Sequence, residues 1–183
     1  MTADFRTRKI THWFALTDTD DDGLITAGDL DRALSRIAFA RGLAPDSDHV
    51  AELRRLHTHK WRLLVEAAGL DAALDAVTVT NVIRCLNTLH NTPDEEQLLG
   101  LIADTWFSLV DADGDGKITF AEFAVALWAN GLTDLLIIEA AFARVDADGD
   151  AIISREEARA AVCDFFQGEE ETGPGAYLLG PVT

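Results

Sequence analysis

Three twelve-residue windows of the chain place acidic side chains at the same four positions. Each has Asp at its first, third and fifth places and an acid at its twelfth: Asp18–Asp29 (DTDDDGLITAGD), Asp111–Glu122 (DADGDGKITFAE) and Asp146–Glu157 (DADGDAIISREE). Ca²⁺ prefers oxygen ligands and takes about six to eight of them, so a loop can enclose it by turning carboxylates inward. A tight turn at the sixth place lets the chain wrap, and the twelfth carboxylate closes the shell with two oxygens. The spacing therefore predicts three calcium sites.

Helical stretches flank each window, which is the helix–loop–helix arrangement of the EF-hand. The eighth residue of such a loop lies on a short strand that pairs with a partner loop, so hands occur in twos. The eighth places here are Ile25, Ile118 and Ile153. Three hands therefore predict a fourth, between the first and second windows.

The best candidate for the fourth hand is Leu70–Asn81 (LDAALDAVTVTN). When Val77 is aligned with Ile118, Asn81 falls at the twelfth place. The first, third and fifth places are then Leu70, Ala72 and Leu74. None of these three side chains is a carboxylate, so we predict a hand that completes a pair without binding metal.

Local signals place the helix boundaries. Thr26, Thr119 and Ser154 are each followed three residues later by an acid, a pattern typical of a helix-starting capping box. Thr92-Pro93 favours another helix start. Residues 42–47 (GLAPDS) favour a break before the long helix of the second hand, and Thr133 is predicted to cap the helix that follows the third hand. The predicted fold is all-α and compact, with eight helices in four EF-hands and short two-stranded loop pairings.

The same signals divide the chain. Residues 1–91 are predicted to form an N-terminal EF-hand pair with a degenerate second hand, and 92–167 a C-terminal pair. The remaining 168–183 form a turn-rich apolar tail. Because an apolar segment is unfavourable in water, we expect Tyr177, Leu178 and Leu179 to pack on the helices.

Composition limits the partners and the compartment. The 183 residues carry a formal charge of −17, and 48% are hydrophobic, which fits a globular protein and argues against nucleic acid or an anionic membrane as partner. Residues 2–8 are polar, so no signal segment is expected, and a cytoplasmic location is the default. Cys85 and Cys163 are interpreted as buried free thiols; the alternatives are a disulfide or a reactive thiol.

Over its whole length the chain resembles the sarcoplasmic calcium-binding proteins and their bacterial relative calerythrin. The shared features are a long segment between the first two hands, the degenerate second hand, Asp29 closing the first loop, and the tail from Gly173 to Pro181 (GPGAYLLGP). Members are compact intracellular calcium binders, usually described as buffers or transporters. The resemblance implies side-chain ligands at Asp18, Asp20, Asp22 and Asp29; at Asp111, Asp113, Asp115 and Glu122; and at Asp146, Asp148, Asp150 and Glu157. It implies backbone carbonyl ligands at Leu24, Lys117 and Ile152.

Two residues depart from the loop pattern. Ala151 occupies a sixth place that favours Gly because the turn needs a positive φ, so the last site should be weakened. Asp29 is one methylene shorter than Glu, so it reaches the ion only if its helix moves inward or if it binds through one oxygen. The latter mode would favour Mg²⁺ as a competitor at Asp18–Asp29. The Asp111–Glu122 loop has no such defect and ranks first.

Other features have plainer interpretations. Each loop could be an acidic surface turn. His57 and His59 could suggest a transition-metal site, but residues two apart point to different faces of a helix, so we expect solvated histidines. The aromatic residues at helical spacing are predicted to form core rather than an organic cofactor cavity: Trp13, Phe14, Phe39, Trp61, Trp106, Phe107, Phe123 and Trp128.

Three functional classes share this predicted scaffold: a calcium buffer or storage protein, a sensor that captures a target helix, and a photoprotein-like enzyme or luciferin binder. Adaptable sensors use Met-rich surfaces, whereas the only methionine here is Met1, which favours the buffer. A sensor for one specific target could still lack Met. Tyr177 is the only tyrosine, which disfavours a luciferin cavity. We therefore expect a non-enzymatic monomer that binds three Ca²⁺, and no protein target is indicated.

Overall fold

The computed structural model describes residues 4–67, 69 and 76–182, which contain eight α-helices and two pairs of short strands. The helices are α1 Phe5–Thr17, α2 Ala27–Ala40, α3 Asp48–Ala67, α4 Val79–Leu89, α5 Pro93–Val110, α6 Phe120–Ala129, α7 Leu135–Val145 and α8 Arg155–Gln167. The strands are β1 Ile25–Thr26, β2 Ala76–Val77, β3 Ile118–Thr119 and β4 Ile152–Ile153. The predicted all-α fold with eight helices is confirmed.

Most predicted helix starts are confirmed by their caps. Thr26, Thr119 and Ser154 each form a capping box, and Thr92 caps α5 ahead of Pro93. The prediction for α7 is wrong by one residue, because Asp134 rather than Thr133 accepts the hydrogen bond from Leu136 N–H, at 3.0 Å. A carboxylate is favoured at that place since it also interacts with the helix dipole.

The strand pairings fix the register of the hands. Ile25 lies opposite Val77 in the antiparallel pair of β1 and β2, as Ile118 lies opposite Ile153 in that of β3 and β4. Thr78 and Asn81 form the capping box of α4. The predicted alignment of the second hand is therefore confirmed over 76–81. Its first, third and fifth places, at Leu70, Ala72 and Leu74, lie outside the described residues.

The helices of the first and second halves of the chain share one core. Helix α8 packs against α1 and α5, α3 packs against α5, and α2 packs against α6. The main cluster of buried side chains includes Ile25 and Leu86 from the first half and Phe107, Phe123 and Phe165 from the second. Each of these five is at most 1% exposed. Separating the halves would therefore expose large apolar side chains that are now buried.

The tail folds back as predicted. Leu178 is buried, and Tyr177 and Leu179 pack against the core at partial exposure. The backbone N–H of Gly175 donates to Asp164 Oδ2 at 2.9 Å, and the Arg144 guanidinium lies 4.6 Å from the centre of the Tyr177 ring. The tail is thus attached to α7 and α8 by polar as well as apolar contacts.

Two of the eight aromatic residues expected in the core lie outside it. Phe39 is 85% exposed and Trp128 is 47% exposed. Each is the last residue but one of its helix, α2 or α6, where the helical spacing continues beyond the edge of the core. None of the described helices is long and apolar enough to cross a bilayer.

The expectation that His57 lies in solvent is wrong. His57 is buried on α3 in the region where α2 and α3 pack together, and its Nδ1 has no hydrogen-bond partner among the described residues. Burial and the nearby charge of Lys60 lower its pKa from 6.5 to about 2. His59, two residues on, is partly exposed, so the two histidines do not share a metal site.

The buried imidazole predicts a loss of stability in mild acid. Below pH 6.5 the unfolded chain binds a proton at His57 that the folded chain excludes until about pH 2. The free energy of unfolding should therefore fall by about 1.4 kcal/mol per pH unit, or about 2 kcal/mol by pH 5. Denaturant unfolding of His57→Leu should lack this loss, whereas the control His59→Gln should keep it. Equal pH dependence in both variants would contradict the burial of a neutral His57.

Candidate metal centres

The structure gathers carboxylates in three places, one for each predicted loop. One oxygen from each member of a group lies within 4.8 Å of one from every other member. The groups are Asp18, Asp20 and Asp22; Asp111, Asp113 and Glu122; and Asp146, Asp148 and Glu157. Nine of the twelve predicted side-chain ligands are thus brought together, and Asp29, Asp115 and Asp150 lie outside the groups.

A repeated hydrogen bond shapes each loop. The side chain of the first-place Asp accepts a hydrogen bond from the backbone N–H of the sixth residue. The distances are 2.8 Å from Gly23 to Asp18, 3.1 Å from Gly116 to Asp111 and 3.0 Å from Ala151 to Asp146. Since this bond turns the chain around the first carboxylate, it places the following acids on the same side.

The twelfth-place acids close the third and fourth hands. Glu122 accepts hydrogen bonds from Ala112 N–H at 2.7 Å and Thr119 N–H at 2.8 Å, and Glu157 accepts the corresponding bonds from Ala147 and Ser154. Burial opposes their ionisation, but these hydrogen bonds prevail and lower the pKa of both carboxyls. Both side chains are therefore charged and directed back across their loops.

Asp29 makes the same backbone contacts despite its shorter side chain. It is 1% exposed and accepts from the N–H groups of Thr19 and Thr26, each at 3.0 Å. Burial alone would raise its pKa, but hydrogen bonds from the two threonines outweigh that effect and lower it. Asp29 is thus an ionised carboxylate buried at the start of α2.

The remaining predicted ligands occupy the rims of the loops. Asp115 and Asp150 accept hydrogen bonds from Lys117 N–H and Ile152 N–H, each at 2.9 Å. Leu24 and Lys117 immediately precede β1 and β3, and Ile152 begins β4. Binding through the carbonyls of these three seventh-place residues remains a prediction.

Backbone conformation separates the loops further. The predicted positive φ of Ala151 is confirmed at 68°, beside 81° and 85° for Gly23 and Gly116 at the same place. Asp21 has φ 58° at the fourth place, where the other loops have Gly114 and Gly149. The prediction missed this second position, although the glycines aligned with Asp21 were a visible signal.

Sequence reasoning also missed the contacts of two arginines, Arg32 within α2 and Arg41 at the C-terminal cap of α2. Arg32 donates hydrogen bonds to side chains of the first loop. Arg41 donates from Nη2 to the backbone carbonyl of Asp111 at 2.7 Å, so the first hand contacts the third loop. Burial lowers the pKa of Arg41, while the nearby charges of Glu122 and Asp111 oppose that shift. No local pattern indicates either contact.

The donor set fits a hard cation. Each of the three groups is built from carboxylates, and none of them contains a thiolate or an imidazole. Such ligands suit Ca²⁺ or Mg²⁺ rather than the softer transition metals. In each loop the Asp residues and the closing acid would hold the ion, and the bound ion would neutralise their mutual repulsion.

The conformation of Ala151 gives a prediction for the last site. Ala151→Gly relieves the strain of a left-handed alanine, which costs about 1–2 kcal/mol. It also gives the unbound loop more backbone freedom, and ordering that loop then costs about 0.4–1 kcal/mol more. Calcium titration should therefore show the Asp146–Glu157 site tightened by a few-fold, up to about tenfold. Gly116→Ala is the matched reverse variant, since no atom lies within 4 Å of the added Cβ, and it should weaken the third site. Weaker binding in Ala151→Gly would contradict the strain argument.

An interior cavity lies among the core side chains of the described helices. It has a volume of about 110 Å³ and is lined by side chains of both halves, including Trp13, Leu34, Trp106, Phe123 and Phe165. Pockets for drug-sized ligands occupy roughly 300–1,000 Å³. The cavity is therefore too small for such a ligand without movement of the helices around it.

Comparison with known proteins agrees with this geometry. Residues 102–129, which span the third loop, match the EF-hand domain family. No curated protein matches the chain. The chain thus contains a recognisable EF-hand, and it lies at the loop that ranked first on sequence.

Solved structures share the whole fold. A Streptomyces coelicolor calcium-binding protein has a TM-score of 0.72 at 24% identity, over 90% of this chain and 99% of that one. The sarcoplasmic calcium-binding protein of amphioxus has a TM-score of 0.75 at 18% identity, over 98% of each chain. The calcium-loaded coelenterazine-binding protein of Renilla muelleri has a TM-score of 0.71 at 26% identity, over 99% of each chain. The resemblance to sarcoplasmic calcium-binding proteins is thus confirmed in fold.

Proposed function

We propose that the protein is a calcium buffer or storage protein with three functional sites. The observation that supports this most directly is the repetition of one site geometry in three loops, with the first-place Asp bonded to the sixth N–H in each. The third and fourth loops also include their closing Glu in the carboxylate group. Three bound Ca²⁺ would change the formal charge from −17 to about −11, which would reduce self-repulsion.

The three sites differ in expected affinity. The third loop has Gly at both left-handed places and a closing Glu. The fourth loop has Ala151 at one of its left-handed places. The first loop has Asp21 at one of its left-handed places and is closed by the shorter Asp29. We therefore expect Asp111–Glu122 to bind Ca²⁺ most tightly. Mg²⁺ should compete best at Asp18–Asp29, where a one-oxygen closing ligand would suit its lower coordination number.

The packing of the hands favours a buffer over a sensor. A sensor opens an apolar groove on binding Ca²⁺, but here the two halves share one core and the tail residue Leu178 is buried in it. Opening would have to separate these surfaces. The free thiols of Cys85 and Cys163 favour a reducing compartment such as the cytoplasm. We propose a monomer without catalytic activity.

A sensor for one specific target is the second candidate. The observation in its favour is a set of exposed apolar side chains near the ends of α2 and α6 and the start of α7: Phe39, Trp128, Leu135 and Leu136. The Streptomyces coelicolor calcium-binding protein, which has the same fold, is described as carrying out calcium-mediated regulation. A luciferin-binding role, as in the Renilla muelleri protein, has less support because the cavity is small.

Calorimetric Ca²⁺ titration, with and without millimolar Mg²⁺, separates the candidates when it is combined with binding of a dye specific for apolar surface. A buffer should bind three Ca²⁺ and gain little dye fluorescence on loading. A large, calcium-dependent gain in dye fluorescence would favour the sensor. Binding of fewer than three ions would contradict the site assignment itself.

A further inference from the structure

The first loop has a cationic side chain that the other two loops lack. Arg32, in the second turn of α2, is the fifteenth residue counted from the start of the loop at Asp18. The residues at the same place after the other loops are Val125 and Ala160. Neither of these can donate a hydrogen bond from its side chain or carry a positive charge.

The Arg32 guanidinium joins two of the proposed metal ligands. Its Nη2 donates to Asp20 Oδ2 at 2.9 Å and to Asp29 Oδ1 at 2.6 Å. Its Nε donates to Thr19 Oγ1 at 2.5 Å. The third-place and twelfth-place acids of this loop are therefore already paired with one cation.

The local structure accommodates the arginine. A Cβ added at Gly28, one turn before Arg32, would lie 3.2 Å from Arg32 Nη1, closer than most such contacts. The eleventh-place residues of the other loops, Ala121 and Glu156, do have a Cβ. Gly28 thus leaves room for the guanidinium to lie beside the loop.

The twelfth-place acids of the three loops differ in whether they form an ion pair. Glu122 and Glu157 lie within their carboxylate groups and make no ion pair with any described residue. Asp29 is paired with Arg32 and lies outside the group of Asp18, Asp20 and Asp22. The Asp29 side chain is 1% exposed and the Arg32 side chain is 50% exposed, so water screens this charge-assisted hydrogen bond only from the side of the arginine.

We propose that Arg32 is an internal counter-cation that lowers the calcium affinity of the first loop and makes this loop fill last. This inference deepens the proposed function and depends on the first loop being a site. Calcium entry must weaken the bonds from Arg32 to Asp20 and Asp29, and the guanidinium charge repels the ion as it enters. Stabilisation present only in the free loop reduces the net affinity by the same free energy.

The test isolates the first loop in the full chain. Glu122→Gln and Glu157→Gln together disable the other two sites, and calcium titration of this background reports on Asp18–Asp29. Adding Arg32→Met, which keeps an unbranched apolar stem but removes the guanidinium and its charge, should tighten binding about five- to thirtyfold. Arg32→Lys, which keeps the charge but loses the two-pronged geometry, should give a smaller gain.

Arg55→Met is the matched control. It changes the net charge equally, but Arg55 pairs with Glu52 on the exposed face of α3, so calcium affinity should change by less than about twofold. Denaturant unfolding gives a second readout. In chelator Arg32→Met should be less stable than Arg55→Met, and at saturating calcium the difference should shrink.

The outcomes separate this inference from the three-site assignment. Calcium binding that is unchanged or weaker in Arg32→Met would overturn the role of Arg32 while leaving the site intact. Binding that appears only in Arg32→Met would support that role and reduce the native count to two sites. Absence of binding with and without Arg32 would refute both.

Discussion

Replacement of Glu122 by Gln is expected to remove the third calcium site and leave two ions per chain. The carboxylate of Glu122 closes the loop and carries the negative charge opposite Asp111 and Asp113. Gln keeps the shape but loses the charge and one of the two coordinating oxygens. Loss of a residue that only supports a metal ligand typically costs about 10–100-fold in affinity, so loss of a direct ligand should exceed this. Calorimetry and native mass spectrometry both report the change.

Glu139→Gln is the control for this experiment, because Glu139 is an exposed acid on α7 outside the three loops. It removes the same charge and should keep three sites.

Because the third and fourth loops share the strand pair of β3 and β4, Glu122→Gln should also weaken the fourth site moderately. Three equivalent sites in Glu122→Gln would be incompatible with the assignment of the third loop.

Removal of the tail after Gly168 is expected to cost several kcal/mol of stability. Full burial of a leucine side chain is worth roughly 1.5–3 kcal/mol; Leu178 is buried, and Tyr177 and Leu179 are partly buried. The truncated protein would also expose the apolar surface beneath the tail. Denaturant unfolding in chelator should show the loss, and dye binding should rise even without calcium.

A matched pair of leucines checks that packing, rather than chain length, explains the effect. Leu178→Ala should lose about 2–5 kcal/mol, whereas Leu136→Ala should lose little because Leu136 is 76% exposed. Equal stability of these two variants, or an unchanged melting temperature after truncation, would mean that the tail does not contribute to the core.

The features that could be predicted from sequence are those determined by neighbouring residues. The ligand spacing, the caps at Thr26 and Ser154 and the positive φ of Ala151 all depend on interactions within about a dozen residues. The register of the second hand was also predictable, because Val77 and Asn81 keep the strand and cap positions even without ligands. The repeated loop pattern also helped, because each hand could be aligned with the other hands.

The features that sequence reasoning missed depend on contacts between distant elements or on the geometry at a helix end. His57 is buried because α2 packs on α3, and its spacing to His59 gave no sign of this. Phe39 fits the helical apolar pattern but extends beyond the core. Arg41 reaches the backbone of Asp111, seventy positions along the chain. Arg32 lies only three residues from Asp29, but an arginine at that distance is ordinary on any helix, so its approach to the loop required the structure.

The number of calcium ions bound per chain tests the central claim most directly. Native mass spectrometry, with calcium added to the chelator-treated chain of 183 residues, should show a final state with three ions. Asp111–Glu122 should fill first, so the one-ion state should disappear in Glu122→Gln at low calcium. A final state of two ions would remove the first loop from the assignment, and a final state of four would mean that the hand at Leu70–Asn81 binds metal. Either count would contradict the assignment of three calcium sites.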